Sequence, residues 1–366
     1  MDLRLPLAVL VLATALSAAL VPLSRVLARH TGVLDKPGQR KIHDRPIPRL
    51  GGIAVFASFV CVVLAGYLFT PVLVGGSWAR AFGEDVALLA ESYRVRARLL
   101  ALLGGAAVVF AVGLLDDVLG NRFPVWLKAA GQLLAAVILV AAPGVRTYVF
   151  PFDWMNVVIT LIWIVGMTNA FNLLDNMDGL SAGVALVASG ILTLNAWLLG
   201  EYFITLIFAA FMGSLLGFLF FNFNPASVFL GDCGSLVIGY LMGSLTLLER
   251  YVTHASSTLF PVLMPVVVLA VPILDTATVV AIRLREGRPI YVGDSRHLSH
   301  KLVSLGFSQR AAVLFIYLVT FSLGLGAFSL VDASPQRSLV ILLQLAGFVS
   351  LLMILMFAAP APRADG

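Results

Sequence analysis

The chain is 366 residues long, 60% hydrophobic and only 12% charged, with a mean hydropathy of +1.00 and a formal net charge of +5. That balance excludes a water-soluble globular domain and points to a polytopic α-helical membrane protein. The positive excess calls for no nucleic acid, because loops that face anionic lipid are commonly basic.

A bilayer-crossing helix needs about 20 apolar residues, and windows of that kind recur along the whole chain. In chain order they predict spans at 5–27, 51–73, 98–115, 125–142, 155–171, 180–199, 202–221, 235–249, 258–282, 311–331 and 338–358. The expected fold is all-α, a single transmembrane helical bundle over residues 1–366 with about eleven helices, ten being the lower count. The first window runs on into the basic segment "SRVLARH" without a small-residue cleavage site, so it is expected to be a retained helix and not a removable signal peptide. The longest polar stretches, 28–50, 74–97 and 283–310, are too short for a second soluble domain. No internal repeat of the kind that marks many secondary transporters is present. Cys61 lies inside the second window and Cys233 in a distant loop, so no disulfide is expected.

When alternate loops are assigned to opposite sides of the membrane, 16 of the 24 Lys and Arg residues fall on one side. The richer side should be cytoplasmic, which puts the N-terminus outside and the C-terminus inside. On that topology the acids gather at the inner face. "GLLDDVLG" ends the third span with Asp116 and Asp117, "NAFNLLDNMDGLSAG" ends the fifth with Asp175 and Asp178, and "FLGDCGS" sets Asp232 ahead of the eighth.

Each acid also has a plain structural reading. Asp116 and Asp117 could sit in a solvated turn, although two negative charges at a helix C-terminus oppose its dipole by about 0.3–1 kcal/mol each. Asp178 and Asp232 are both placed to cap the helix that follows. Their conjunction favours chemistry, because carboxylates from three loops opening on one membrane face suit a hard divalent cation such as Mg²⁺. That ion is usually held by one or two carboxylates together with substrate phosphates and water. The inner loops supply positive charge for the phosphates, with Lys36, Arg40, Lys41, His43, Arg45 and Arg49 in "DKPGQRKIHDRPIPRLGG" and more in "RLREGRPIYVGDSRHLSHK". His297 and His300 share a face if their segment is helical. They make a weak transition-metal pair and a better pair of phosphate hydrogen-bond donors.

Taken in order, "RKIHDRPIPRLGG", "GLLDD", "NAFNLLDNMDGLSAG", "FNFNPASVFLGDCGSLVIG" and "DSRHLSHKLVSLGFSQRAAV" resemble the polyprenyl-phosphate N-acetylhexosamine-1-phosphate transferases, over residues 35–320. The resemblance implies a Mg²⁺-dependent enzyme, with Mn²⁺ as a substitute. Such an enzyme works at the cytoplasmic face of a bacterial plasma membrane, passing a sugar-1-phosphate from a UDP-sugar to polyprenyl phosphate and releasing UMP, the first step of a cell-envelope glycan. It implies catalytic roles for Asp116, Asp117, His297 and His300, and substrate contacts from Lys41, His43, Asn169, Asn172, Asp175 and Asp178. Metal ligation falls to Asp232 with Asn172. One of Asp116 and Asp117 would act either as a base toward the lipid phosphate or as a covalent nucleophile. The expected partners are the two substrates and the bilayer, with a homodimer allowed.

The chain departs from the family pattern twice, with Asn176 where Gly is common and Ser299 interrupting the histidine motif. The spaced "HLSH" resembles the N-acetylglucosamine branch more than the peptidoglycan translocase, which handles phospho-MurNAc-pentapeptide. The reading from a different class is a secondary transporter, which predicts acids near helix midplanes and not at helix ends.

Overall fold

The computed structural model describes residues 2–35, 45–75, 95–252, 259–289 and 296–358. Its helices are α1 (Arg4–Thr31), α2 (Gly51–Gly75), α3 (Arg96–Leu119), α4 (Val125–Val140), α5 (Asp153–Leu174), α6 (Leu180–Leu198) and α7 (Tyr202–Asn222). They continue with α8 (Asp232–Leu248), α9 (Met264–Val268), α10 (Ala270–Arg285), α11 (Leu298–Ser304), α12 (Gln309–Phe328) and α13 (Pro335–Ala358). Two short strands, β1 (Leu34–Asp35) and β2 (Ile47–Pro48), pair antiparallel beside the end of α1.

All eleven predicted windows fall on helix, but the count of eleven spans is not met on length. Among the described residues eight helices are long and apolar enough to cross a membrane, or nine if the bent pair Phe260–Val268 and Ala270–Arg285 is one crossing. The 66° bend in that pair has a local cause. Pro272 offers no N–H to the Val268 carbonyl, and the helix breaks at Leu269. The two remaining windows are α4 and α8, apolar helices of 16 and 17 residues, which at 1.5 Å per residue reach about 24–26 Å.

The short helix α8 forms the centre of the bundle. Every residue from Cys233 to Thr246 is buried, against α2, α3, α5, α6 and α7. A helix apolar on all sides belongs in such a position, whereas α13, with 17% of its apolar window buried, presents most of its surface to lipid. The backbones come unusually close around the N-terminus of α8. A Cβ added at Gly52 would lie 2.2 Å from the Gly234 nitrogen, and one at Gly113 would lie 2.4 Å from the Asp232 carbonyl oxygen. Only glycine permits α2 and α3 to approach α8 this closely.

At the opposite end of the bundle α6, α7 and α8 are fastened together. Asn195 donates to Glu249 at 2.7 Å, and Arg250 pairs with Glu201. Cys61 and Cys233 are both free thiols, the first exposed and the second buried.

Candidate active site

Four chain segments converge at the N-terminus of α8. The stretch that enters α2 runs beside the stretch that enters α8, with Phe229 N–H donating to the Pro48 carbonyl at 2.8 Å and Gly52 N–H to the Leu230 carbonyl at 2.8 Å. This backbone pairing sets Arg49 next to Asp232. The C-terminal turn of α3 brings Asp116 and Asp117, and the first turn of α4 brings Lys128.

The Asp117 side chain is fully buried, and both its oxygens are engaged by α8. Oδ1 accepts the Asp232 N–H at 2.9 Å, and Oδ2 accepts the Cys233 N–H at 2.8 Å. Arg49 Nε lies 3.4 Å from Oδ1. The first amides of a helix have no partner within the helix, and here α3 supplies the cap from a distant part of the sequence. Neither acid that the sequence suggests as a cap acts as one. Gly231 precedes α8 and Gly179 precedes α6, neither with a side-chain cap. Asp178 turns instead to the α7–α8 loop, where its Oδ2 accepts Asn224 Nδ2 and the Ala226 N–H, both at 3.0 Å.

Asp116 and Asp232 face each other across Lys128. The ammonium is 2.8 Å from Asp116 Oδ2 and 2.9 Å from Asp232 Oδ2, and the two carboxyls are themselves within hydrogen-bonding reach. Asn172, on the last turn of α5, donates to Asp232 Oδ1 at 2.9 Å and to Ser235 Oγ at 2.8 Å. It thus turns its amino group to the carboxylate, and a role as an oxygen ligand requires the amide reversed. Asp175 follows directly on α5 and makes no side-chain hydrogen bond among the described residues. Burial pushes its carboxyl up to about 8; the neighbouring acids Asp232, Asp117 and Asp178 push the same way, and Arg49 opposes them.

The donor chemistry fits Mg²⁺. Two carboxylates, Asp116 and Asp232, already converge on one cation, the Lys128 ammonium. Four acids (Asp116, Asp117, Asp175 and Asp232) stand against two cationic side chains, Arg49 and Lys128. Among the described residues no three His, Cys, Asp or Glu side chains meet at a single point. Asp116 and Asp232 are the residues that would hold such an ion, one or two protein ligands being usual for Mg²⁺ beside substrate phosphates and water.

The other residues expected from sequence are distributed around this centre. Asn169, one turn before Asn172, pairs reciprocally with Gln132 of α4, at 2.6 and 3.3 Å, away from the carboxylates. His297 is the residue before α11 and so lies outside the helix, with its ring centroid 6.5 Å from that of His300. Lys41 and His43 lie outside the described residues. Asn176 and Ser299, the two departures from the family pattern, touch each other, with the hydroxyl donating to Asn176 Oδ1 at 2.6 Å. This bond fastens α11 to the loop between α5 and α6.

Sequence reasoning missed two residues. Lys128 counted there only toward loop charge, and Asp275 lies within the apolar stretch "VPILDTATVV". Asp275 Oδ2 is 2.6 Å from His297 Nδ1, and its Oδ1 accepts the Leu298 N–H at 2.7 Å. Both members of the pair are buried. The carboxylate accepts from Nδ1–H, which fixes the tautomer and leaves Nε2 as the working nitrogen. The available signal was a lone acid inside a predicted membrane span, where ionisable groups are costly and usually functional.

Fold and site together describe a polytopic helical membrane protein whose polar, carboxylate-lined centre is assembled at one end of the bundle, suited to phosphate chemistry. The profile of glycosyl transferase family 4 matches residues 99–249, the segment that carries Asp116, Asp117, Lys128, Asn172 and Asp232. Over 342 residues the chain is 33% identical to the probable undecaprenyl-phosphate N-acetylglucosaminyl 1-phosphate transferase of Bacillus subtilis (strain 168), covering 91% of this chain and 87% of the relative. It is 32% identical over 347 residues to the decaprenyl-phosphate N-acetylglucosaminephosphotransferase of Mycobacterium tuberculosis, covering 87% and 81% of the two. The undecaprenyl-phosphate alpha-N-acetylglucosaminyl 1-phosphate transferase of Escherichia coli (strain K12) is 27% identical over 310 residues, 81% of this chain and 76% of the relative. The chain belongs to glycosyl transferase family 4.

Proposed function

We infer that this protein transfers N-acetylglucosamine 1-phosphate from UDP-N-acetylglucosamine to polyprenyl phosphate, releasing UMP and leaving a polyprenyl-diphosphate-linked sugar. The observation that carries this reading is the meeting of Asp116, Lys128 and Asp232 within 3 Å contacts at one end of the bundle, in a chain whose relatives are named for this transfer. A transporter reading fits less well, because these acids gather at helix ends. The names of the relatives favour N-acetylglucosamine over a phospho-MurNAc-pentapeptide donor.

In the reaction a lipid phosphate oxygen attacks the β-phosphorus of the nucleotide sugar. The bond from that phosphorus to the bridging oxygen breaks, and UMP leaves with the electron pair. Both reactants are anions, so the barrier falls chiefly through positioning and charge. Mg²⁺, held by Asp232 and Asp116, would supply the charge that offsets diphosphate against carboxylate. Lys128 and Arg49 bring fixed positive charge to the same place. Asp116, whose side chain is partly exposed beside Lys128, takes any proton the lipid phosphate carries. Asp117 holds the N-terminus of α8, and with it Asp232, in register; its two engaged oxygens leave it poorly placed as a nucleophile. His297, its Nδ1–H accepted by Asp275, presents Nε2 to substrate as a proton acceptor.

The test is UMP release by purified protein given UDP-N-acetylglucosamine, polyprenyl phosphate and Mg²⁺, with UDP-MurNAc-pentapeptide as the competing donor. Turnover of the first donor alone is expected; turnover of neither, in folded protein, refutes the reading. The active face is proposed to be cytoplasmic with the C-terminus inside. A reporter fused after Gly366 that works only in an extracytoplasmic compartment would overturn that orientation.

A further inference from the structure

A polar cavity of about 440 Å³ opens at the same end of the bundle as the carboxylate centre, between the end of α1, β2 and the α7–α8 loop. Three of its eight lining residues are arginines, Arg25, Arg29 and Arg45, and none is acidic. Pro48 and Ser227 also line it. Arg25 Nε is buried and has no hydrogen-bond partner among the described residues, although a guanidinium taken out of water ordinarily finds one. Arg25 and Arg29 stand one helical turn apart on α1, so their like charges repel when nothing lies between them.

Depth identifies the ligand. From Leu5 to Ser24, α1 runs through 20 residues with no charged side chain, about 30 Å at 1.5 Å per residue, the thickness of the hydrocarbon layer. Arg25 therefore emerges where lipid phosphates lie, and Arg29 one turn beyond it. Guanidinium forks match phosphate oxygens bidentately. We propose that the Arg25, Arg29 and Arg45 cavity is a binding site for the phosphate of an anionic phospholipid headgroup, separate from the carboxylate centre.

Native mass spectrometry of the purified protein in detergent, titrated with phosphatidylglycerol or with phosphatidylcholine of the same acyl chains, tests this. The parent is expected to hold one phosphatidylglycerol more tightly than phosphatidylcholine, whose choline the three guanidiniums repel. Arg25→Gln with Arg29→Gln should weaken that preference by about 10- to 30-fold, the scale of two basic groups lost near an anionic surface. Excess inorganic phosphate distinguishes the sources of the ligand. Lipid retained in its presence supports the headgroup site, and lipid displaced by it shows a site for free phosphate and overturns the lipid assignment. Equal binding of the two lipids by the parent, or equal preference in parent and variant, overturns the proposal outright. If the double variant does not fold, Arg45→Gln is read in the same titration, where an unchanged preference counts equally against it.

Discussion

Asp117→Asn separates the scaffolding of this site from its chemistry. The parent carboxylate accepts two amide hydrogens of α8, at 2.9 and 2.8 Å. The Asn side chain keeps one acceptor and turns an NH₂ toward the other N–H, which is left without a partner in a buried place. A hydrogen bond to a charged group contributes about 1.5–3 kcal/mol, and a stranded buried donor costs about 1–3 kcal/mol. Loss of a negative charge at a helix N-terminus adds up to about 2 kcal/mol in partly buried surroundings. These contributions overlap, so opening of the first turn of α8 should become easier by about 2–4 kcal/mol, and its amides should exchange about 30- to 1,000-fold faster. The assay is peptide-resolved hydrogen–deuterium exchange across Leu230–Ser235, with Asp116→Asn as the companion. Asp116 touches Lys128 and Asp232 but no backbone amide of α8, so its variant should exchange like the parent while turnover drops at least about 100-fold, the scale of a lost acid–base group. Parent-like exchange in Asp117→Asn, or faster exchange in Asp116→Asn, would refute this division of labour.

Asp232→Asn should insert and purify like the parent, because its side chain caps no helix, but lose most UMP release and recover only part of it at raised Mg²⁺ or Mn²⁺; superimposable metal titrations of parent and variant would remove Asp232 from the metal site. Asp175, with a folded-state value of about 8 against an ordinary value of about 4, holds a proton that the unfolded chain releases. Its contribution is complete below about pH 4 and is lost as pH rises toward 8, so metal-free parent should melt at falling temperatures across that window while Asp175→Asn shows a flatter curve; parallel melting curves would refute the shift. Asp275→Asn should donate to His297 Nδ1 and move the ring proton to Nε2, lowering kcat by about 100-fold with little change in KM; a change confined to KM, or an unaltered kcat, would make Asp275 merely a cap for α11.

Helical structure was legible at every apolar window, because a membrane span is a long local signal and a loop break is a short one. Length was the weak point: α4 and α8 are apolar enough to resemble spans yet fall short of about 20 residues. The acids of the site were legible as a set of helix-end carboxylates, since charge in so apolar a chain is rare. Their division of labour was not. The contacts that define it join Lys128 to Asp232 across 104 positions and Asp117 to Cys233 across 116, and no local pattern encodes such a pairing. Lys128 was hidden among loop cations that membrane orientation alone explains, and Asp275 was hidden by the apolar window around it. The contact between Asn176 and Ser299 shows the same limit, since two departures read separately in sequence are one hydrogen bond in space.

The close approach of Gly52 to Gly234, and of Gly113 to Asp232, also bears on how this enzyme can evolve. Adding even a methyl group at these positions would wedge α2 or α3 away from α8, and the carboxylates ride on those same helix ends. Catalytic placement tolerates errors of only about 0.5 Å, so the bundle offers almost no neutral path at this junction. Altered donor or acceptor preference is then expected from change in the surrounding loops, away from the glycine junction.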